Sequence, residues 1–563
     1  MQEFIFGPMT TLEKRVESAL AQAKGVRHLY RLDPPAPRPG EVTHLVVTAE
    51  PEMALERILC TVLEPERKEI LLQPAGVEWD LLSWSYCQTW TADLPAFPAG
   101  SMVRYRFEAY PVAGNVPLPV DDGQIFTFLV GNPEPPAWSQ EAIVYQVFPD
   151  RFHPGPGREW NQVQTLADIY GGTLRGIIAN LDYITDLGFN CLWLNPFFPD
   201  KTHHGYHAED YFQVNPRLGT LETIQELVDA AHARGLRVLL DFVANHWSSE
   251  HATFQEALVD PQSDYVNWYT WEQYPQEYKT FFGVRELPQV NLDYPGARNY
   301  MLKAADYWLR EIGFDGYRLD YAPGPSLDFW AEFRAVCKAA RPDAWLFGEV
   351  VVPPVDQLPY AGRLDGCLDF ALAQMFREVF AFGSRPVAVL DSFLHLHEQY
   401  FPAYFSRPSF LDNHDMNRFL WLAKGDQRKL KLAALCQFTL AGPPVVYYGT
   451  EVGLSQEQDI VHDDGRHVME ASRLPMLWGA DQDKELLRFY RQLIHFRRAH
   501  PVLVHGDRKT VHLDNPAGTY AYTRSDGRET ILVALNLSGE NRKLDIAGER
   551  LSLPAWSGDI REG

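Results

Sequence analysis

No run in this sequence of 563 residues is long and apolar enough to span a membrane. Met1 to Leu20 carries Glu13, Lys14, Arg15 and Glu17 and lacks the apolar core of a secretion signal, so a cytoplasmic location is expected. Cysteine is scarce: Cys60, Cys87, Cys191, Cys337, Cys367 and Cys436 are scattered with no C-x-x-C pair, which excludes a zinc-ribbon spacing and reads as buried free thiols. Basic residues are outnumbered, 51 Lys and Arg against 74 Asp and Glu, for a net charge of −23. That balance argues against nucleic acid and anionic membrane surfaces as partners, since both demand Lys/Arg patches. Short-period repeats and low-complexity tracts are also absent.

Aromatic residues, by contrast, are abundant at 13% of the chain. Pyranose rings stack on aromatic faces, so this composition hints at carbohydrate, although an aromatic-rich core accounts for it equally well. The length exceeds what one compact core accommodates, and two or three domains are expected.

Residues 1–130 read as short strands between turns: Thr43–Ala49, Arg57–Leu63, Glu69–Gln73, Gln88–Leu94, Val103–Tyr110 and Gln124–Val130. Val103 to Tyr110 alternates with period two, and the whole predicts an immunoglobulin-like β-sandwich. Gly131-Asn132-Pro133-Glu134-Pro135-Pro136 breaks the pattern as a linker. From Trp138 apolar runs alternate with amphipathic helical stretches. The runs are Ala142–Phe148, Cys191–Leu194, Val238–Val243, Gly316–Leu319, Trp345–Phe347, Cys367–Ala371, Ser409–Leu411 and Val445–Tyr448. Eight such units predict an α/β fold, a (β/α)₈ TIM barrel over residues 138–500. Residues 247–298 interrupt it after the third strand as an aromatic-rich insertion without clear helical period. Residues 501–563 predict a C-terminal β-domain, with strands at Thr510–Leu513, Tyr520–Thr523 and Thr530–Leu535.

In such a barrel the reacting groups stand at the C-terminal strand ends. Arg318 and Asp320, two apart on a strand, point to the same side, and the guanidinium favours the ionised carboxylate. A structural ion pair explains that dipeptide spacing as readily as catalysis does. Further polar groups follow the other strands, however: Asp241, Asn245 and His246 after the third, Glu349 after the fifth, and Asp412 to Asp415 after the seventh. Retaining glycoside hydrolysis needs one ionised and one protonated carboxyl group about 5–5.5 Å apart. Asp320 suits the nucleophile. Glu349, at the end of the apolar run Trp345-Leu346-Phe347, suits the acid, because burial raises a carboxyl pKa. Asp415 is placed to stabilise a cationic transition state, and His246 and His414 to donate to sugar hydroxyls.

These residues carry a resemblance to the α-amylase family of glycoside hydrolases. Its four short motifs occur in order as Asp241–His246, Gly316–Asp320, Phe347–Val350 and Phe410–Asp415. Tyr145–Phe152, His204-Gly205-Tyr206, Gly442–Glu451 and Pro475–Trp478 match secondary signatures. The resemblance implies that Asp320 is the nucleophile, Glu349 the acid/base and Asp415 the transition-state stabiliser. It also implies that Tyr206, His246, Arg318 and His414, with Asp241 and Asn245, bind the sugar at the cleavage point.

The sandwich before the barrel resembles the cyclomaltodextrinase, neopullulanase and maltogenic amylase group. So does Leu287-Pro288-Gln289-Val290-Asn291, in which Gln289 replaces the usual Lys. Members of that group often dimerise through the N-terminal domain, so a homodimer is one expectation. The implied substrates are cyclodextrins, maltodextrins, pullulan or starch. The alternatives are an endo-acting α-amylase or maltodextrin glucosidase on linear glucans, a transglycosylase or isomerase using the same intermediate, and a non-catalytic carbohydrate-binding protein on a degenerate barrel. The intact acidic trio argues against the last. No cofactor is implied, with calcium as an optional structural ion. Tyr321-Ala322-Pro323-Gly324 departs from the family's Lys-His pair, which weakens the case for calcium beside Asn245, and His207 stands where the family usually has Asp.

Overall fold

The computed structural model describes residues 24–562 apart from 51, 52, 82, 83, 115, 463 and 547, together with 13, 16, 17, 19 and 20. Most of Met1 to Leu20 therefore lies outside the described residues. Among the described residues no helix is long and apolar enough to cross a membrane.

Period-two alternation becomes the strand Met102–Pro111, whose Val103, Tyr105, Phe107 and Ala109 all face inward. It pairs antiparallel with Leu55–Glu64 and Phe126–Leu129. Opposite it, Thr43–Ala49 pairs with Ser85–Leu94, and two five-stranded sheets close over one apolar core. The single strand expected at Glu69–Gln73 is instead two. Lys68–Leu71 joins one sheet and Gln73–Asp80 the other, and the buried Leu72 is the crossing point. Pro74 and Gly76 concealed the second strand, an edge strand with a register shift at those residues.

The barrel strands are Val144–Val147, Cys191–Leu194, Arg237–Val243, Gly316–Asp320, Trp345–Gly348, Gly366–Cys367, Ser409–Phe410 and Pro444–Tyr447. Seven parallel pairings run from the sixth strand back to the first and on through the eighth to the seventh. A parallel bridge between Gly366 and Ser406, with Cys367 N–H donating to Ser406 O at 3.0 Å, closes the ring. This is the (β/α)₈ fold. The sixth strand is shorter than Cys367–Ala371 suggested. Asp369 accepts from Leu372 N–H and caps a helix, Phe370–Phe376, which takes over the apolar residues.

The insertion contains a helix, Ala252–Val259, that its aromatic texture hid, followed by a small hairpin of Trp271–Gln273 with Glu277–Tyr278. Trp268 and Tyr269 are buried and Phe254 stacks on Trp271 at 5.9 Å, so these rings pack the insertion rather than face the cleft. At the C-terminus Asp507–Asp514, Thr519–Ser525, Thr530–Asn536 and Ser557–Glu562 form an antiparallel sheet. The additional hairpin Arg542–Ile546 with Glu549–Leu553 escaped notice because five alternating residues are too short a signal.

A charged seam joins sandwich to barrel. Asp328, in the first turn of the helix Leu327–Ala340, accepts from Arg104 Nε at 2.9 Å and Thr127 Oγ1 at 2.6 Å on the sandwich, and from Arg298 Nη1 at 2.6 Å on the barrel.

Candidate active site

Parallel pairing sets the site's geometry. Asp241 on the third strand is the register partner of Arg318 on the fourth, and Arg318 that of Phe347 on the fifth, two residues before Glu349. Arg318 Nη1 consequently donates to Asp241 Oδ1 at 2.7 Å and to Asp320 Oδ1 at 2.9 Å, while Nη2 pairs with Glu349 Oε2 at 2.9 Å. One buried guanidinium thus binds three carboxylates, and a bound cation of this kind is the condition for burying them at all.

Asp241 is saturated beneath the floor. Its Oδ2 accepts from Tyr206 Oη at 2.8 Å and Trp193 Nε1 at 3.0 Å. The Tyr206 ring stacks on His414 at 5.4 Å, nearly parallel. Gln146 Nε2 donates to His414 Nδ1 at 2.8 Å, which leaves Nε2 as the donor, 2.8 Å from Asp415 Oδ2 and 2.7 Å from Tyr206 Oη. Arg473 Nη2 donates to Asp415 Oδ1 at 2.8 Å.

The resulting cavity has a volume of about 450 Å³. Tyr206, His246, Asp320, Glu349 and Asp415 line it. Asp241, Arg318 and His414 form the layer underneath. Asn245 does not face the cavity. Its Oδ1 accepts from Gln289 Nε2 at 3.0 Å and its Nδ2 lies 3.2 Å from His246 Nδ1, so it fixes the histidine ring. Asp412 is also turned away, accepting from Phe419 N–H and Thr450 Oγ1. The sequence reading missed Gln146, Arg473 and Asn195, whose Nδ2 donates to Tyr206 Oη at 2.7 Å and whose Oδ1 accepts from Gln146 Nε2 at 3.0 Å. A polar Gln inside the apolar strand Val144–Val147 was the available signal for the first; Arg473 lies in a loop with no periodicity to read.

Burial opposes ionisation of Asp415, but His414, Arg473 and Arg318 outweigh it and hold the carboxyl well below the usual range. Burial pushes Glu349 up, only partly countered by Arg318, with Asp415 adding to the rise. Burial pushes Asp320 well up too, against Arg318, with Glu349, Asp241 and Asp415 adding to the rise. Arg318 donates to Asp320 Oδ1 and contacts Glu349 Oε2, while Glu349 Oε1 is buried without a partner. Burial drives His246 down to about 3, and it is neutral.

The residues beside Asn245 do not suit calcium, which takes six to eight oxygen ligands. Asn245 Oδ1 is already engaged by Gln289, and among the described residues no cluster of three His, Cys, Asp or Glu side chains is arranged to hold a metal.

The (β/α)₈ barrel gathers Asp320, Glu349 and Asp415 around one cavity at its C-terminal face, the carboxyl groups that glycoside hydrolysis requires. The family description "Alpha amylase, catalytic domain" matches residues 146–506. The chain is 39% identical over 432 residues to "Alpha-amylase 2" of Dictyoglomus thermophilum, covering 77% of this chain and 75% of that one. It is 37% identical over 458 residues to a "Cyclomaltodextrinase" of a Bacillus species, covering 77% and 79%. A solved structure titled "Cyclomaltodextrinase" superimposes with a TM-score of 0.69 at 30% identity over 93% of both chains. The chain belongs to the α-amylase family.

Proposed function

We propose that the protein hydrolyses α-1,4-glucosidic bonds in cyclodextrins, maltodextrins, pullulan or starch with retention at the anomeric carbon. The observation that carries this reading is the sharing of Arg318 by Asp320 and Glu349 at adjacent strand ends. Asp320 attacks the anomeric carbon while Glu349 protonates the leaving oxygen, giving a glucosyl-enzyme ester. Glu349 then takes a proton from water, which displaces Asp320. A sugar hydroxyl in place of water gives transglycosylation. Asp415 offsets charge on the oxocarbenium-like transition state, and Tyr206, His246, His414 and Arg318 hold the reacting glucose, supported by Asp241 and Asn245. We take 1–130, 138–500 with 247–298 inserted, and 501–563 as the domains.

Product analysis on β-cyclodextrin, pullulan and soluble starch tests the reading. Cyclodextrin is expected to open fastest, with maltose, glucose or panose accumulating, and dialysis against a chelator should leave rates unchanged. If starch is cut fastest into mixed oligosaccharides while cyclodextrin resists, the protein is an endo-acting α-amylase. No release of reducing sugar from any of the three would sink the assignment.

A homodimer through the sandwich belongs to the same proposal. The edge strand Gln73–Asp80 and its neighbour expose Val77, Trp79, Trp84 and Tyr86, with Trp79 and Tyr86 in ring contact at 5.0 Å, and such patches favour association. Sedimentation should give twice the 64.3 kDa chain mass, and Trp79→Ser with Tyr86→Ser should shift it to the monomer. A monomeric wild type rejects the dimer. A cytoplasmic location is proposed as well, supported by six unpaired cysteines that suit a reducing compartment; fractionation that places the protein outside the cell would refute it.

A further inference from the structure

Two side chains other than glycine hold left-handed backbone near the catalytic carboxyls: Tyr321, with φ of 37°, and Phe282, with φ of 47°. They come from different segments, the turn after the nucleophile strand and the insertion, yet their rings meet at 5.2 Å. Phe281 contacts both, at 5.0 Å and 4.6 Å, and itself stacks on His246 at 4.3 Å. Left-handed conformations in such residues persist only where the surroundings over-determine them. Here the aromatic trio supplies that constraint.

The strained turn delivers a backbone N–H. Tyr321 N donates to Glu349 Oε2 at 3.1 Å, beside the contact of Arg318 Nη2 with the same oxygen. The main chain of Glu349 is pinned as well, with its N–H donating to Leu319 O and its carbonyl accepting from Ala322 N–H. Oε1 alone is left without a partner.

We propose that Tyr321 is a positioning residue for Glu349: its left-handed turn, braced by Phe281 and Phe282, fixes Oε2 and with it the orientation of the carboxyl group. This rests on the reading of Glu349 as the acid/base. The charged and titratable groups around Glu349 are Arg318 and Asp320 of the fourth strand, the Tyr321 phenol, His414 and Asp415 after the seventh, His204, Tyr206, His207 and His246 on the near wall, and His467, Glu470 and Arg473 across the cleft. The turn supplies two contacts to Glu349, the Tyr321 N–H to the carboxyl and the Ala322 N–H to the main-chain carbonyl, and only the first touches the titrating group. A hydrogen bond to the charged form lowers a carboxyl pKa, so losing it raises the pKa of the acid.

The test compares substitutions that treat the backbone differently. Glycine adopts positive φ freely, whereas a β-branched residue is a severe outlier there. Tyr321→Gly should keep kcat and the basic limb of the kcat/KM profile on maltodextrin, losing only in KM, and Tyr321→Phe should match the wild type. Tyr321→Val should lower kcat on maltodextrin about tenfold, a part of what general acid catalysis contributes, and move the basic limb to higher pH. On dinitrophenyl α-maltoside, whose leaving group needs no proton, the rate of the aryl burst should be spared. The pair Phe281→Ala with Phe282→Ala, in which neither residue bonds to Glu349, should move the limb in the same direction. Equal losses for the Gly and Val variants, equal losses on both substrates, or an unmoved limb would overturn the proposal. A wild type inert on both substrates would overturn the acid/base reading with it.

Discussion

Replacing Glu349 with Gln is expected to lower kcat on maltodextrin by about 10³-fold or more, at the upper end of what a general acid supplies. The substitution is nearly isosteric, and the amide oxygen still accepts from Tyr321 N–H at the position Oε2 occupies. Folding should therefore be unaffected, and maltodextrin should still bind. The distinguishing signature is kinetic. With dinitrophenyl α-maltoside the first step bypasses the acid, but the second step needs Glu349 as base. One equivalent of aryl alcohol should appear in a burst, followed by slow turnover and a trapped ester on Asp320. Near-normal turnover on maltodextrin would rule out the assignment.

Replacing Arg318 with Leu should cost both activity and stability. The buried guanidinium is hydrogen-bonded to Asp241 and Asp320 and paired with Glu349, so its loss strands three buried carboxyls at about 3–5 kcal/mol. With the cation gone, burial is unopposed at Asp320 and Glu349, which protonate more readily. Asp320 then stays neutral and ceases to be a nucleophile, so turnover should fall below detection. The sign of the pH effect follows. A carboxyl whose pKa is raised in the folded state contributes stability below its unfolded pKa and forfeits it as pH rises through the range above. Urea midpoints at about pH 5 and about pH 8 should show the variant least destabilised at the acid value. Arg318→Lys retains a charge without the fork and should recover part of the stability but little activity. A Leu variant as stable as the parent at both values would show that the carboxyls are not held by this cation.

The legible part of the site was the local part. Arg318 and Asp320 are two apart on one strand, and that spacing predicts a shared face. Glu349 could be read from the apolar run before it. The bond from Arg318 to Asp241 could not, because it depends on the register between the third and fourth strands, a nonlocal quantity. The bond of Gln289 to Asn245 was hidden for the same reason: Gln289 lies far along the chain, near the end of the insertion. In the fold, the strand that changes sheets at Leu72 and the helix capped by Asp369 were hidden where one apolar stretch serves two elements. Side-chain periodicity sees faces, not the point at which the backbone turns from one role to another.

The seam at Asp328 gives the sandwich a mechanical meaning. The short span from Asp320 to Asp328 is a bridge with two piers. One pier is the strand that ends at Asp320, sunk in the barrel. The other is Asp328, clamped by Arg104 and Thr127 of the sandwich. Tyr321 sits on the deck between them. The first part of the chain is therefore an abutment for the cleft, holding the far end of the span whose near end touches Glu349.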